Sequence, residues 1–483
     1  MLLSVIFNAG AKGLLFLLTI LIAHFFGTST ATDIYFFISA AMLLLSGLVN
    51  AMDTTVLVPV SMRIRKQKGD AAAMAFLNVF LLLYVLAGLI FSVIVWIWAA
   101  PLFSFFSRFS DADILQYRHF FLLGSLLFLL QILTGYINNI LASLRFFTVP
   151  MIVSGINSCL VITGILLLHN DYDVFSVLIG SVVAYTVNLM LLLLLMKRLT
   201  GWKFSKRGKL SVYEIWGRIG FTGLGQAFTL ASSYFPLYLL SGFGNGIMSA
   251  MSYGKQLADA PNSLFTSQLT NVGGVALNEA AAAGNRQKLA HHFTRTGRLL
   301  LFIMIPIGLY LLVFARPVVE LLYRRGRFDE AAVTGAATFL RFFASVLFVI
   351  ALNAWVSRVF IALQAIRQAF IYQLVMNSIF IVMTWLFTRY YNAYGYGYAY
   401  AAFYLLNFIL MYFVSRWLAR GIDYAGLAFY ALKLLLINGV IAAAFYFLLP
   451  YVSIPSWLQL LLSFLVWLAL LVPSGKKIIA RNS

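Results

Sequence analysis

The 483-residue chain is 63% apolar and 10% charged, where a soluble globular domain averages about 45–50% and about 25%. That balance excludes a single dry core in water. One cysteine, Cys159, and five histidines without HExxH-type spacing exclude a disulfide framework and offer no Cys-based metal site, while the net charge of +20 would suggest nucleic acid only in a soluble protein.

Fourteen apolar segments, each near the length that crosses a bilayer, follow in chain order: 2–26, 33–61, 72–100, 119–144, 148–168, 173–196, 214–241, 246–280, 299–315, 333–361, 368–388, 393–415, 426–449 and 455–473. The first has no basic stretch before it and no small-residue cleavage site, so it is expected to be a retained helix. Several are longer than a crossing needs, which predicts tilt or kinks. An even number puts both termini on one side. With the termini cytoplasmic, the inside loops and tail carry 21 of the 34 Lys and Arg residues and the outside loops 7, as the positive-inside rule requires. The net charge is thus topology, and nucleic acid is not expected as a partner. Three of the seven outside charges come from one stretch, "VVELLYRRGRFDEAAV" at 318–333. Arg324, Arg325 and Arg327 run against the bias there and need another explanation.

A repeat underlies the spans. "FFGTSTATDIYFF" (25–37) is followed by "KGD" (68–70), and "GFGNGIMSAMSYG" (242–254) by "AGN" (283–285), at an offset of 215–217. "ASLRFFTVPMIVSGINS" (142–158) pairs with "ALQAIRQAFIYQLVMNS" (362–378) at 220. Six spans separate the copies, so both have the same orientation, as in transporters whose parallel repeats face each other across a substrate site. The predicted fold is an all-α polytopic membrane protein of about 14 transmembrane helices. Residues 1–198 form an N-lobe and 214–420 a C-lobe of six helices each, joined by a basic linker at 199–213. Residues 421–483 add two helices and a basic tail.

Ionisable groups inside spans are costly and mark a protein interior or a wet cavity. Lys12 lies about 15 Å into the first span at 1.5 Å per residue. Asp53 is in the second half of span 2, where it either lines a cavity or meets a polar neighbour. Lys255 and Asp259 are one turn apart in span 8 and read equally as an intrahelical pair. Arg341 is about two turns into span 10. Arg218, Arg358 and Lys433 lie near inside ends and are expected to snorkel. Cations exceed anions, and a basic cavity suits an anionic cargo such as a phosphate. "YYNAYGYGYAYAAFY" (390–404) is expected to be an interfacial tyrosine belt, its glycines letting span 12 start close against a neighbour. "MRIRKQKGD" (62–70) and "KFSKRGK" (203–209) are expected to be inside anchors.

Four motifs together carry a family resemblance. "FFGTSTATDIYFF" resembles the "FG-x-x-x-x-A-D-x-F/Y" start of span 2 in the MurJ/MviN lipid II flippases, with Thr32 where that pattern has Ala. "YGKQLADAPNSLF" (253–265) resembles their "Y-A-x-R-L-x-x-x-P-x-G". "LLYRRGRFDEAAV" (321–333) resembles "LLF-x-RG-x-F-x-x-x-x-T". "SLRFFTVP" (143–150) resembles "RF-x-x-P" with one extra residue. The resemblance implies the multidrug/oligosaccharidyl-lipid/polysaccharide exporter fold and alternating access. It also implies basic cavity residues that bind the diphosphate of an undecaprenyl-linked saccharide. On that pattern Lys12 falls where span 1 has its first cavity Arg, Asp33 on the Asp opening span 2, and Asp259 on a family acid. Gln256 replaces the family Arg, with Lys255 beside it. Two further family arginines fall on Leu18 and near Ser46.

The diphosphate-binding set expected is therefore Lys12, Lys255, Gln256 and Arg341. Asp33, Asp53 and Asp259 are the cavity or coupling acids, and Arg324, Arg325, Gly326 and Arg327 form an outside elbow. In that elbow the glycine permits the turn, and Asp329 and Glu330 favour the start of the next helix. The expected activity is a flippase for lipid II in the bacterial inner membrane, a monomer with a lipid-linked saccharide as substrate and membrane lipids as partners. No cofactor is expected, and coupling to membrane potential or a cation is left open. The alternatives are an O-antigen or exopolysaccharide lipid flippase and a cation-coupled drug exporter, which would want a less basic cavity. A membrane glycan ligase would need a large outside loop; the longest, about 101–118, has eighteen residues.

Overall fold

The computed structural model describes residues 2–146, 148–204, 212–418, 422–448, 457–467 and 469, with side chains from residue 10 onward except 212–222, 224, 366, 418 and 448. Among these residues there is no strand. The helices are α1 (Leu2–Phe26), α2 (Thr30–Met52), α3 (Val58–Lys68), α4 (Asp70–Phe106), α5 (Asp111–Gln116), α6 (Arg118–Ser143), α7 (Thr148–Tyr172), α8 (Phe175–Thr200) and α9 (Val212–Leu240). They continue with α10 (Ile247–Pro261), α11 (Ser267–Ala282), α12 (Arg286–Val313), α13 (Ala315–Tyr323), α14 (Glu330–Ser345), α15 (Leu347–Ala362), α16 (Ile366–Tyr391), α17 (Gly395–Leu418) and α18 (Tyr424–Leu448). A last apolar helix, α19, covers Trp457–Trp467.

Each segment expected from hydropathy falls on a helix or a helical run, the last being described only in part. Eight described runs are long and apolar enough to cross a membrane, or nine if α14 and α15, bent by 46°, form one span. One of the eight, Arg367–Trp417, takes in both α16 and α17. The remaining expected spans, on α1, α9, α10–α11 and α19, are shorter as described or more polar. The outward faces are apolar: Ile90, Val93 and Ile97 of α4 and Leu436 and Val440 of α18 are exposed, a pattern that fits lipid and not water. The chain is an all-α polytopic membrane protein.

Helix ends differ from span ends. Arg63 to Lys68, expected as a loop, continue the helix as α3, and the break comes only at Gly69 (φ 84°). The basic stretch Arg286–Arg298 is likewise the first half of α12. Lys and Arg are good helix formers, so the helix outlasts the membrane. Within the long span 2 run, Asp53–Leu57 is a π-helical turn, and Asn262–Thr266 is another between α10 and α11. Local caps start several helices: Ser29 accepts from Thr32 N at 3.2 Å, and Asn285 from Lys288 N at 2.9 Å.

The repeat is written in the backbone. Left-handed residues pair off as Gly27 with Gly244, Gly69 with Gly284, Arg145 with Gln364, and Asp173 with Asn392. The first two reproduce the offsets in the sequence; at the third the backbone sets the offset at 219, one less than the residue pattern suggests.

By packing, the chain falls into two compact units, Met1–Ser249 with Arg325–Phe328, and Ala250–Arg324 with Asp329–Ser483. In the first, α6 is central, touching α2, α4 and α8, with α7 on α8, α1 on α7 and α9 on α2. Gly164 and Gly180 let α7 and α8 approach so closely that a Cβ at Gly164 would lie 2.8 Å from Gly180 Cα, the small-residue contact favoured between membrane helices. In the second, α12 is central, touching α11, α14, α15 and α18. Its core is built on Phe293, Leu300, Leu352 and Trp355, with Trp355 Nε1 donating to Phe293 O at 3.0 Å.

Candidate functional site

In the first unit, Asp33 sits in the first turn of α2 and is 1% exposed. Its Oδ2 accepts the Gly246 N–H at 2.9 Å and its Oδ1 the Ser249 N–H at 2.7 Å. Gly246 has φ +81°, and a Cβ there would sit 2.7 Å from Thr28 Cβ. The two copies of the repeated loop motif therefore touch, and the acid of the first grips the backbone of the second. Those N–H groups open α10, where a carboxylate is favoured. Both oxygens are occupied, so Asp33 clasps the start of α10.

Lys12 is half-buried on α1. Leu18 and Ser46, which stand where the resemblance expects arginines, are buried, and the Ser46 hydroxyl donates to Leu43 O at 3.0 Å. Asp53 is fully buried and accepts from Tyr84 Oη at 2.6 Å. That is the polar neighbour which one reading of the sequence allowed.

The 324–330 elbow splits between the units. Gly326 has φ +61°, and a Cβ there would collide with His24 O; only glycine fits. Arg327 N donates to His24 O at 2.9 Å, and Arg327 Nη1 pairs with Asp173 Oδ1 at 2.9 Å. Phe328 is buried. A cavity of about 480 Å³ beside this contact is lined by His24, His169, Asn170, Asp173 and Arg327 among others. Arg325 is exposed.

In the second unit, Arg324 approaches Glu320 (3.6 Å) and Glu330 (3.4 Å). Arg316 pairs with Glu320 at 2.9 Å and also with Glu330. The four charges tie α13 to α14. The hydrogen bond to Glu320, first, and Glu330 beside it hold the Arg316 guanidinium above its usual value. Asp329 caps α14 by accepting from Ala332 N at 2.9 Å, and Glu330 is its first residue, as the sequence led one to expect.

Lys255 Nζ meets Asp259 Oδ2 at 2.6 Å, with side chains 39% and 51% exposed, so the intrahelical pair forms. Lys255 Nζ is also 6.0 Å from the centre of the Phe343 ring. Gln256 is half-buried and Arg341 exposed on α14. The tyrosine run divides. Tyr390, Tyr391 and Tyr398 are exposed as a belt should be, whereas Tyr396 and Tyr400 are buried, with the Tyr400 ring 4.9 Å from that of Phe343. Gly397 admits the Phe342 ring, the close approach expected of the glycines.

Sequence reasoning brought Lys255 and Asp259 together but missed Tyr84, Asp173, Glu320 and Arg316 as partners. Tyr84 lies in an unbroken apolar run and Asp173 is distant in sequence from Arg327, whereas the i,i+4 spacing of Arg316 and Glu320 was a local signal that could have found that pair. Among the described residues no group of three or more His, Cys, Asp or Glu side chains could hold a metal ion.

A family profile described as "Lipid II flippase MurJ" matches residues 22–467. A solved structure described as lipid II flippase MurJ in an inward closed conformation is similar over 99% of this chain and 100% of its own, with a TM-score of 0.81 and 17% identity. An inward-facing multidrug resistance MATE family transporter of the MOP superfamily follows at 0.67 and 14%, covering 85% and 98%. The Vibrio cholerae MATE transporter VcmN gives 0.62 and 14%, covering 88% and 96%. No curated protein matches the chain.

Proposed function

The chain belongs to the MurJ family of lipid II flippases, and from that premise we propose that it carries an undecaprenyl-diphosphate-linked saccharide from the inner to the outer leaflet of the bacterial inner membrane. Lipid II, for peptidoglycan synthesis, is the cargo favoured. The observation that carries this reading is the family match over residues 22–467, with a fold alike over 99% of the chain. A transporter moves its cargo without chemical change, so no catalytic group is assigned.

In this reading Lys12 and Lys255 supply point charges for the diphosphate, with Gln256 as a hydrogen-bond donor and Arg341 as a further cation. Lysine gives charge without the planar fork of arginine, so the headgroup is held by attraction more than by a fixed geometry. The pair with Asp259 keeps Lys255 extended along α10 until a phosphate oxygen replaces the carboxylate. Both termini are cytoplasmic, and one chain is the working unit.

Buried Leu18 and Ser46 support a second cargo, an O-antigen or exopolysaccharide unit on the same lipid diphosphate, because two family charges are missing. Depletion of the protein in its host, with mass spectrometry of lipid-linked precursors, separates the readings. Lipid II accumulating on the inner leaflet supports the first. Another undecaprenyl-linked glycan supports the second, and no accumulation removes both.

A further inference from the structure

The first unit buries an acid that diphosphate binding does not use. Asp53 is fully buried in the middle of the 39-residue helical run Thr30–Lys68. It opens a π-helical turn; such turns recur where a helix carries a functional group. A second π-helical turn, Asn262–Thr266, opens with an amide whose Oδ1 accepts from Thr266 Oγ1 at 3.0 Å within its own turn, and it holds no acid. A π-turn therefore does not require a carboxylate, and Asp53 needs a different reason.

Its surroundings supply one. Tyr84 of α4 donates to Oδ1 at 2.6 Å. The Asn139 amide of α6 adjoins the same carboxyl and lies 3.4 Å from Asn50 Oδ1. Oδ2 is buried and has no hydrogen-bond partner. Among the described residues no Lys or Arg forms an ion pair with Asp53. The titratable groups that face it are Tyr84 and Tyr136, and the Tyr136 hydroxyl is committed to Leu77 O at 2.8 Å. On α3 the nearest charges are Arg63 and Arg65, ten and twelve residues along the helix, and Arg65 is paired with Asp70 at 2.8 Å. On α9, which also packs on the turn, the titratable side chains described are Tyr234, bonded to Phe106 O, and Tyr238. A carboxylate so placed has only the neutral groups of Tyr84 and Asn139 beside it and no counter-charge, and an isolated charge in such surroundings is strongly disfavoured.

We propose that Asp53 is a proton-binding site, with Oδ2 carrying one proton while α2, α4 and α6 are packed as here, and releasing it when the first unit admits water. On release the O–H bond breaks, the electron pair stays on Oδ2, and the proton passes to water. The unit thereby links a proton to its own opening. This inference rests on the transporter reading, to which it adds the coupled ion.

The test is infrared difference spectroscopy of the purified full chain in lipid nanodiscs during a pH titration. The expected result is the carbonyl band of a buried neutral acid that disappears as pH rises. Asp53→Asn lacks that band. Tyr84→Phe keeps the acid but removes the donor to its carbonyl, so the band persists at higher frequency. Absence of the band, its survival in Asp53→Asn, or an unmoved band in Tyr84→Phe overturns the proposal. So does loss of the band on adding sodium ions at constant pH, which would make a metal ion the occupant. If Asp53→Asn fails to fold, the Tyr84→Phe shift decides. The spectra need no substrate, so their outcome is independent of whether depletion accumulates a lipid-linked glycan.

Discussion

The Ser249 N–H points at Asp33 Oδ1 from 2.7 Å, across 216 residues of sequence. With the Gly246 N–H on the other oxygen, one carboxylate fastens the second copy of the loop motif to the first. Hydrogen bonds to a charged acceptor contribute about 1.5–3 kcal/mol each, and a stranded buried N–H adds to the loss. Asp33→Ala is expected to destabilise the purified protein by at least about 3 kcal/mol in denaturant unfolding, and Asp33→Asn by roughly half of that because one acceptor remains. An alanine variant as stable as its parent would mean that the clasp contributes nothing.

The elbow at 324–330 gives a second contrast, between backbone and charge. Gly326 is held in the left-handed region against His24 O, where any side chain meets both steric and torsional cost. Arg327 and Asp173 form an ion pair with side chains 66% and 58% exposed, and pairs so solvated contribute about 0–1 kcal/mol. Gly326→Ala is therefore expected to lower the melting temperature measurably, and Arg327→Ala hardly at all. If the arginine variant were the weaker of the two, the charge and not the turn would hold the elbow.

Hydropathy and charge made the fold readable because lipid selects for both along every span. The same signals say where an apolar span stops and nothing of where the helix stops, so the helices run on through Arg63–Lys68 and through the basic start of α12. Asp329 and Glu330 were readable because capping is a matter of three or four neighbouring residues. Asp33 was singled out, but its partners were not, since a backbone N–H in a distant loop leaves no mark in sequence. Tyr84 was invisible for a different reason: inside an apolar helix a tyrosine that holds an acid looks like one that packs. Charges at Lys12, Lys255 and Arg341 were found easily, because a charge within a span is rare enough to stand out.

The cargo reading separates charge from shape. Lys12→Ala and Lys255→Ala are each expected to lose complementation of a depleted strain, whereas Lys12→Arg retains it, since attraction to a diphosphate survives any cation at that place. Asp259→Ala frees Lys255 from its 2.6 Å partner and is expected to be tolerated better than Lys255→Ala. Growth of the double Lys12→Ala, Lys255→Ala strain at the parent rate would exclude both lysines from the cargo path.

Orientation follows from the distribution of Lys and Arg and is open to a direct check. Cys159 is the only cysteine and is exposed, so Cys159→Ser gives a clean background. Lys288 and Arg389 are both exposed; the first belongs to the basic set assigned to the cytoplasm, the second to the sparse outside set. Arg389→Cys is expected to react with a membrane-impermeant maleimide in spheroplasts, and Lys288→Cys only after the membrane is permeabilised. The reverse pattern would put 21 basic residues on the outer face against the positive-inside rule. It would also reverse the face on which the 324–330 elbow lies, moving Arg324, Arg325 and Arg327 to the side from which the cargo is loaded.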